Sequence, residues 1–435
     1  MQISMKFSLH ILKLFTFFFI SYSSLTKADS KPNIILIMAD DIGVECFSSY
    51  GGKDTHTEHL DALAASGQRF KQCYSQPLCT PSRVQIMTGR YNNRNYQGFG
   101  WLDPKEVTFA NLLKKEGYST CIAGKWQLGG NEKTIQNFGF DEHCLWNMHK
   151  YKKSDKTAIE EPKDWLRRFD NPTLYRNGQW YQPGEKSYGP EVCTDFICDF
   201  IGQNREKPFL VYYPMILTHS PFDPTPDSKS RKQDIKQNFT DMTHFMDKMV
   251  GRIVAKLEQE GIRDNTLIIF TTDNGTHSKI KSNTDKGVIQ GGKNQMTDAG
   301  THVPLIINWP GKIKPALSSE LVDFSDILPT LVETAGAELP KDRHIDGKSL
   351  LPVLEGKVNS RRETIFCYYW DYGRNKAKAR AWVRNERYKL YDDGSFFDIT
   401  ADKSENEPLK EISATQQTIK ANLQTALQGY LQQQP

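Results

Sequence analysis

The stretch Asn33-Ile34-Ile35-Leu36-Ile37-Met38-Ala39 is an apolar run that ends at two acidic residues, Asp40 and Asp41. Its length is that of a β-strand, and it lacks the alternation of apolar and polar residues that marks a strand with one solvated face. A continuous apolar run is typical of a strand in a parallel sheet that helices cover on both sides. We therefore predict a buried strand here, in a fold of the α/β class.

Strand and helix patterns alternate along the chain after this run. Further apolar runs of strand length lie at 118–123, 209–213, 266–271 and 303–308. Apolar residues with helical spacing lie at 60–64, 109–113, 239–257 and 325–334. This alternation predicts a central, mainly parallel sheet between helix layers.

The pattern changes after about residue 345. Short strand-like runs at 364–370, 381–384 and 388–391 and a terminal helical stretch at 415–431 predict a smaller C-terminal α+β subdomain. The segment 145–190 is rich in charge, proline, glycine and aromatic residues, and we expect it to be a long surface excursion of the kind that borders substrate clefts. We predict a large domain at 29–345 and a subdomain at 346–435.

The N-terminus is typical of a secretory signal. Lys6 and Lys13 precede the apolar run 14–20, and a polar stretch leads to Ala28. This order predicts a signal peptide at 1–28 and export to the periplasm or the medium, with no membrane span in the mature chain. An uncleaved anchor is the alternative.

Composition excludes some classes of protein. The 435 residues are 38% hydrophobic and 25% charged, and the formal net charge is only +4. There is no basic stripe with interleaved aromatic residues, so we do not expect nucleic acid as a partner. The eight cysteines form no dense disulfide framework and no CxxC pair.

Acidic and amide side chains follow two of the strands directly. Asp40 and Asp41 follow the first strand, and Asp273 and Asn274 follow the strand at 266–271. Lys125 and His219 lie soon after two other strands. Because the carboxyl ends of parallel strands share one edge of a sheet, we expect these residues to converge. The four oxygen-bearing residues favour a hard cation over zinc, and Ca²⁺ over Mg²⁺; the alternative is that they are turn or cap residues.

A second cluster is Cys79-Thr80-Pro81-Ser82-Arg83, which continues to Thr88-Gly89-Arg90. It resembles the sulfatase signature Cys/Ser-x-Pro-x-Arg with its Thr-Gly-Arg end. In that family a maturation enzyme oxidises the cysteine to formylglycine (3-oxoalanine). The resemblance implies that Cys79 is modified in this way, and that the fold is that of the alkaline-phosphatase-like superfamily.

Other motifs occur in the order that the sulfatase family has. Residues 32–41 resemble the family's first metal-binding strand, and residues 124–129 resemble its Gly-Lys-Trp-His-Leu-Gly segment. Residues 218–222 resemble its histidine motif, residues 272–275 its second metal-binding pair, and residues 292–304 its late lysine segment.

The resemblance implies a role for each matching residue. Ca²⁺ would be held by Asp40, Asp41, Asp273, Asn274 and the formylglycine at position 79. Arg83 would brace the formylglycine and the metal. Lys125, His219 and Lys293 would surround the sulfate and the leaving-group oxygen, and Gln127 would lie in the same substrate-binding pocket. The large domain would then be the catalytic domain.

These roles suit the chemistry of a sulfate ester, which has spread negative charge and a poor leaving group. A dication and lysines stabilise charge on the transferred group, and His219 or Lys293 would protonate the departing oxygen. The hydrated aldehyde offers one hydroxyl to attack sulfur and a second whose deprotonation expels sulfate.

Two positions depart from the family pattern. Gln127 stands where the family commonly has histidine, and a glutamine is no base near neutral pH. Another group such as His219 then takes the proton, or turnover is slow, or the change tracks a substrate subclass, or it is neutral. His302 stands where many relatives have arginine, and we interpret it as structural.

Sulfatases that resemble this chain commonly act on sulfated carbohydrates such as ulvan, carrageenan, fucan or glycosaminoglycans, which makes a sulfated carbohydrate the expected substrate. The alternatives are an arylsulfatase, and a phosphatase or phosphonate hydrolase of the same superfamily. A two-zinc phosphatase needs several histidines near the carboxylates, and only His277 is nearby in sequence. A third alternative is a non-catalytic protein that binds sulfated glycans, with Cys79 unmodified. The residues that argue against it are Arg83, Lys125, His219 and Lys293.

Overall fold

The strand at 33–39 lies in the middle of a ten-stranded sheet. The structure is a computed structural model that describes residues 31–148, 162–358, 362–370 and 375–432. The signal peptide predicted at 1–28 lies outside these residues, as does part of the excursion predicted at 145–190. No helix within the described ranges has both the length and the apolar composition needed to cross a membrane.

The first twelve strands form the large sheet and a small ribbon. They are β1 (Asn33–Ala39), β2 (Gln68–Tyr74), β3 (Ser119–Lys125), β4 (Glu142–Trp146), β5 (Leu174–Arg176), β6 (Gln179–Tyr181), β7 (Phe209–Pro214), β8 (Thr266–Thr272), β9 (Lys281–Thr284), β10 (Gly287–Gln290), β11 (His302–Asn308) and β12 (Ala316–Asp323). The order across the sheet is β12-β2-β11-β8-β1-β7-β3-β4-β5-β6, and β9 and β10 form the separate ribbon.

The centre of the sheet is parallel. β1 pairs in parallel with β7 and β8, and β3 pairs in parallel with β7 and β4. β11 runs antiparallel to both of its neighbours, β8 and β2. The carboxyl ends of the five central strands therefore share one edge, as the sequence predicts.

Helices cover both faces of the sheet. They are α1 (Glu58–Ser66), α2 (Cys79–Thr88), α3 (Asn92–Asn95), α4 (Phe109–Lys115), α5 (Glu132–Asn137), α6 (Gly189–Asn204), α7 (Ile235–Gln259), α8 (Asp298–Thr301), α9 (Ile327–Thr334), α10 (Leu351–Leu354) and α11 (Ala414–Gln432). Ile34 and Leu36 of β1 belong to one buried cluster with α2, α4 and α9. Ile35 and Ile37 belong to a second cluster with α1, α6 and α7. Since successive side chains of a strand point to opposite faces, this division explains why β1 is apolar throughout.

The C-terminal residues form a four-stranded antiparallel sheet, consisting of β13 (Ile365–Tyr369), β14 (Arg380–Arg384), β15 (Tyr388–Tyr391) and β16 (Phe396–Asp398). One face packs Trp382 against Tyr74 and Leu321 of the large sheet, and the other packs Val383 and Leu390 against α11. The α/β fold with a smaller C-terminal sheet is confirmed, whereas the boundary at 345/346 stays a prediction.

Candidate active site

The two acidic pairs meet at the carboxyl edge of the sheet. Ala39 and Thr272 are partners in the parallel pair β1–β8, so Asp40 and Asp273 leave the sheet side by side. The backbone N–H of Asp41 donates to Asp273 Oδ1 at 3.1 Å, and Asn274 Nδ2 donates to Asp41 Oδ1 at 2.9 Å. All four residues are fully buried.

Asp41 turns the chain at this point. Its φ is 60°, in the left-handed region, which aspartate enters more readily than most residues. In a strand, consecutive side chains would point to opposite faces. The turn instead lets Asp40 and Asp41 both reach the site, where Asp40 contacts Lys125 and Asp41 contacts Lys293.

Three positively charged side chains contact the acidic residues. Lys125, the last residue of β3, places Nζ 2.7 Å from Asp40 Oδ2. Lys293 pairs with Asp41 Oδ2, and its backbone N–H donates to Thr276 O at 2.9 Å. Arg83 of α2 reaches Asp273 Oδ2 at 3.0 Å and donates to Lys125 O at 3.0 Å. Because these cations are themselves largely buried, they fix the carboxylates in place as well as compensating their charge.

The carboxyl groups differ in how easily they ionise. Burial opposes ionisation of Asp41, but Lys293, His219 and Lys125 outweigh it and hold the pKa of Asp41 well below its usual range. Burial and the neighbouring Asp40 raise the pKa of Asp273 to about 7, despite Arg83. The protein alone therefore does not fully compensate the negative charge at Asp273.

Two buried oxygens in the site lack a hydrogen-bond partner. They are Asp40 Oδ1 and Asn274 Oδ1, and no donor among the described residues reaches either of them. A buried oxygen without a donor costs free energy unless a cation takes the donor's place. The acidic and amide oxygens fit a hard cation such as Ca²⁺. In the described part of the chain, only His219 offers a nitrogen ligand close to Asp40 and Asp41. Because zinc prefers several histidine or cysteine ligands, the site does not fit zinc well.

Cys79 is the first residue of α2, and its side chain is buried. Burial raises the pKa of its thiol; Asp273 and Asp40 add to this, and Lys125 and Lys293 oppose it. These are the same charged groups that meet at the sheet edge, so Cys79 lies among them. An unmodified thiol here is protonated near neutral pH and is a poor nucleophile.

His219 lies on the segment that follows β7. Backbone hydrogen bonds between Asp40 and Leu217 (2.8 Å) and between Thr218 and Asp40 (2.7 Å) tie this segment to the end of β1. The His219 Nδ1–H donates to Ser220 O at 2.6 Å, and Nε2 lies 3.7 Å from Asp41 Oδ2. Burial lowers the pKa of His219 to about 4, so the ring is neutral near pH 7 with its lone pair on Nε2.

Gln127 lies beside the start of α2. Its Oε1 accepts a hydrogen bond from Thr80 Oγ1 at 3.3 Å, and its backbone N–H donates to Asn147 O at 3.3 Å. His302 lies away from this cluster, where it stacks on Tyr74 at 5.0 Å and hydrogen-bonds Lys71 O at 2.8 Å. These contacts agree with a structural role for His302.

The sequence motifs missed Arg168. Its guanidinium donates to Ser220 O and lies 3.4 Å from His219 Nδ1. Nothing in its local sequence distinguishes it from Arg167. The only signal was its place in the excursion at 145–190, which was expected to border a cleft.

The chain matches two family models and several known proteins. The sulfatase model matches residues 32–337, and the model for N-sulphoglucosamine sulphohydrolase, C-terminal, matches residues 291–433. Steryl-sulfatase of Rattus norvegicus is 30% identical over the aligned region, which covers 78% of this chain and 73% of that protein. N-acetylgalactosamine-6-O-sulfatase of Bacteroides thetaiotaomicron is 30% identical over the aligned region, which covers 77% of this chain and 78% of that protein.

A solved structure is also similar. The crystal structure of Ps i-CgsB in complex with k-i-k-neocarrahexaose superposes with a TM-score of 0.77 at 25% sequence identity. The superposition covers 92% of this chain and 93% of that one.

Proposed function

Because the chain belongs to the sulfatase family and is a sulfuric ester hydrolase, we propose that it removes sulfate from a sulfated carbohydrate with the aid of Ca²⁺ and a formylglycine made from Cys79. The observation that carries this proposal is the convergence of Cys79, two acidic pairs and two lysines in one buried site. A maturation enzyme that oxidises Cys79, and export of the chain, belong to the same proposal.

Asp40, Asp41, Asp273, Asn274 and the modified residue 79 would hold the Ca²⁺ ion. The buried oxygens of Asp40 and Asn274 that lack donors support this assignment. The ion supplies positive charge against the sulfate oxygens, and the hydrated aldehyde supplies the nucleophilic hydroxyl.

The remaining residues bind the sulfate and move protons. Lys125 and Lys293 compensate charge on the transferred group. Arg83 holds Asp273 and the Lys125 carbonyl, so it positions groups on both sides of residue 79.

Of the two acid candidates, Lys293 is the better one. Burial lowers its pKa, but the carboxylates of Asp41 and Asp40 oppose burial and its pKa is raised, so Lys293 is protonated near neutral pH. The neutral His219 has its proton on Nδ1, where it is donated to Ser220 O. His219 Nε2 is therefore suited to accept a proton, and we assign it the acceptor role that Gln127 cannot fill.

A carbohydrate substrate is favoured over a small aryl sulfate. The similar structure of Ps i-CgsB has k-i-k-neocarrahexaose bound, and one relative is an N-acetylgalactosamine-6-O-sulfatase. Arg168, which lies over the buried Trp146 ring and beside His219, would form the wall against which a sugar ring rests.

The test is sulfate release from a panel of sulfated oligosaccharides, with 4-nitrophenyl sulfate, phosphate esters and phosphonate esters alongside. Mass spectrometry of the peptide that contains residue 79 is run on the same preparation. We expect formylglycine in the active protein, preference for sulfate over phosphate, and a loss of at least about 10³-fold in Cys79→Ala. Undiminished sulfate release by Cys79→Ala, or an ordinary thiol in fully active protein, would contradict the proposal.

A further inference from the structure

Arg168 is held firmly at the edge of the candidate active site. Its backbone carbonyl packs on Gly189, where no side chain would fit, and the Gly189 N–H donates to Phe169 O at 2.9 Å. The Arg168 guanidinium lies over the Trp146 ring, 4.6 Å from its centroid, and donates to Ser220 O. Trp146 is the β4 partner of Lys125 in β3, so Arg168 is tied to the same sheet edge as Lys125.

Among the described residues, no acidic side chain forms an ion pair with Arg168. The carboxylates whose charge reaches it are those of Asp40, Asp223 and Asp41, but among the described residues none comes within ion-pair distance. Arg168 Nε is buried and has no hydrogen-bond partner among the described residues. A partly buried guanidinium normally gains a carboxylate or another anion as its partner.

His219 stands between Arg168 and the catalytic cluster. The imidazole turns Nδ1 toward Arg168 at 3.4 Å and Nε2 toward Asp41 at 3.7 Å. Arg168 is therefore one imidazole ring farther out than His219 Nε2. In the proposed site, a sulfate between Lys293 and residue 79 would lie on the opposite side of His219 from Arg168, and the sugar chain that carries it would extend past His219 toward Arg168.

We propose that Arg168 recognises a second anionic substituent, a sulfate or a carboxylate, on the sugar next to the one that carries the scissile sulfate. This inference rests on the proposed function and narrows its substrate class to carbohydrates with more than one negative charge. A guanidinium offers a planar fork that matches the oxygens of either group, and stacking on Trp146 fixes the plane of that fork. Arg168 then determines substrate specificity, and the other residues of the site contact the reacting atoms.

The experiment compares Arg168→Gln and Arg168→Lys with wild type on matched pairs of substrates. One pair is κ- and ι-carrageenan oligosaccharides, which differ in a neighbouring sulfate. A second pair is chondroitin sulfate oligosaccharides with the uronate free or methyl-esterified. Arg167→Gln is the matched control, because Arg167 is the adjacent arginine, is half exposed and lies 3.8 Å from Asp164 on the surface.

The readout is the ratio of kcat/KM values for the two members of a pair. This ratio does not depend on the fraction of enzyme that is folded. We expect Arg168→Gln to lower the wild-type preference for the member with the second anion by about 10- to 100-fold, mainly through KM. Arg168→Lys should lose less, and Arg167→Gln should keep the wild-type ratio. The pair that responds tells whether the second anion is a sulfate or a carboxylate.

Two results would overturn the inference. If Arg168→Gln lowers kcat/KM equally for both members of each pair that the wild type hydrolyses, Arg168 acts only through His219. If the wild type shows no preference for a second anion, Arg168 recognises none. Wild-type protein with formylglycine that hydrolyses no sulfate ester at all would instead refute the proposed function, and the inference with it.

Discussion

Three side chains of the candidate active site differ in whether they can donate or accept a proton near neutral pH. Lys293 carries a proton because Asp41 pairs with it, and His219 is neutral because burial disfavours its charged form. Gln127 has an amide that can only hydrogen-bond, and its Oε1 already accepts from Thr80. In the proposed mechanism, proton transfer therefore depends on Lys293 and His219.

Gln127→His adds a titratable group at this place. Position 127 has φ 53°, a conformation that histidine enters more readily than most residues. We expect kcat of the variant to gain an ionisation limb near the ordinary histidine pKa of about 6.5, and to rise above that pH by up to about 10²-fold. The measurement is kcat against pH on 4-nitrophenyl sulfate. Gln127→Asn keeps an amide, so its kcat should show no ionisation limb near that pH. If the limb appears in Gln127→Asn as well, it comes from another group.

Single residues were predictable where they follow a strand directly. Asp40 and Asp273 are at the ends of strongly apolar runs, so the shared edge of a parallel sheet was enough to bring them together. Arg168 was not predictable, because its place depends on how a long loop packs against Gly189 and Trp146. The catalytic and metal-binding roles of these residues stay predictions.

At the scale of elements, the C-terminal sheet supports the segment that carries Lys293. Lys389 of β15 donates to Met296 O at 2.8 Å and pairs with Glu405 Oε1 at 2.8 Å. The same carboxylate accepts the backbone N–H of Asp298 at 2.7 Å. Both charged side chains are buried, so this sheet and the Lys293 segment are joined by a dry ion pair.

Lys389→Met should be costly because it leaves Glu405 buried without its cation. Removing one partner of a buried pair costs about 3–5 kcal/mol, while an exposed pair contributes about 1 kcal/mol or less. Urea unfolding followed by tryptophan fluorescence measures this cost. Lys248→Met, in the exposed pair with Asp227 at 2.6 Å, is the control. The double variant Lys389→Met/Glu405→Gln should recover part of the loss. Equal costs for Lys389→Met and Lys248→Met would rule out this account.

Elements were predicted best where their apolar periodicity is long. The α7 stripe and the β1 run are examples, because each has one burial pattern over its whole length. β2 was missed because its sequence mixes buried and exposed positions at the side of the sheet. The hairpin β5–β6 was predicted only as part of a surface excursion, since its two strands have three residues each.

At the scale of the whole molecule, His143 links stability to pH. It is fully buried, and burial lowers its pKa to about 4. In the unfolded chain the pKa is about 6.5, so below that pH the unfolded state binds a proton that the folded state does not. Stability is therefore lost as the pH falls from about 6.5 to about 4. The loss from this residue stays below about 3 kcal/mol, because Glu132 Oε2, 2.9 Å from His143 Nε2, stabilises the protonated ring.

The measurement is the free energy of unfolding between about pH 7 and about pH 4. We expect the loss to be smaller in His143→Gln than in wild type. His56→Gln, at an exposed histidine, should keep the wild-type dependence. If His143→Gln also keeps the wild-type pH dependence of the free energy of unfolding, His143 does not cause that dependence.

Removing divalent metal should destabilise the molecule. Without a cation, the buried carboxylates of Asp40, Asp41 and Asp273 lie together, and two oxygens lack partners. Free Ca²⁺ at about 100 times its Kd would stabilise the fold by about 2.7 kcal/mol. We expect dialysis against EGTA to lower Tm, and Ca²⁺ to restore it more fully than Mg²⁺ or Zn²⁺. An unchanged Tm in EGTA, with no metal in the purified protein, would argue against a cation site.

The general architecture was predictable, but strand order and direction were not. Alternating strands and helices were sufficient for a sheet between two helix layers, as the two buried clusters on either side of β1 show. The run at 302–308 does not specify a direction, and in the structure β11 is reversed between β8 and β2. Direction is set by the loops that join distant strands, and single-strand patterns carry no information about them.

Every residue of α2, from Cys79 to Thr88, is buried. The side chain that would be oxidised thus begins a helix enclosed by the finished fold, where the flanking backbone is already paired. No second protein can close its own cleft around a side chain in that position. The oxidation that we propose for Cys79 would then come early in the life of the chain, while this segment is still an extended peptide. On that proposal, burial of one helix sets the order of biosynthesis: the side chain is oxidised first, and folding then encloses it.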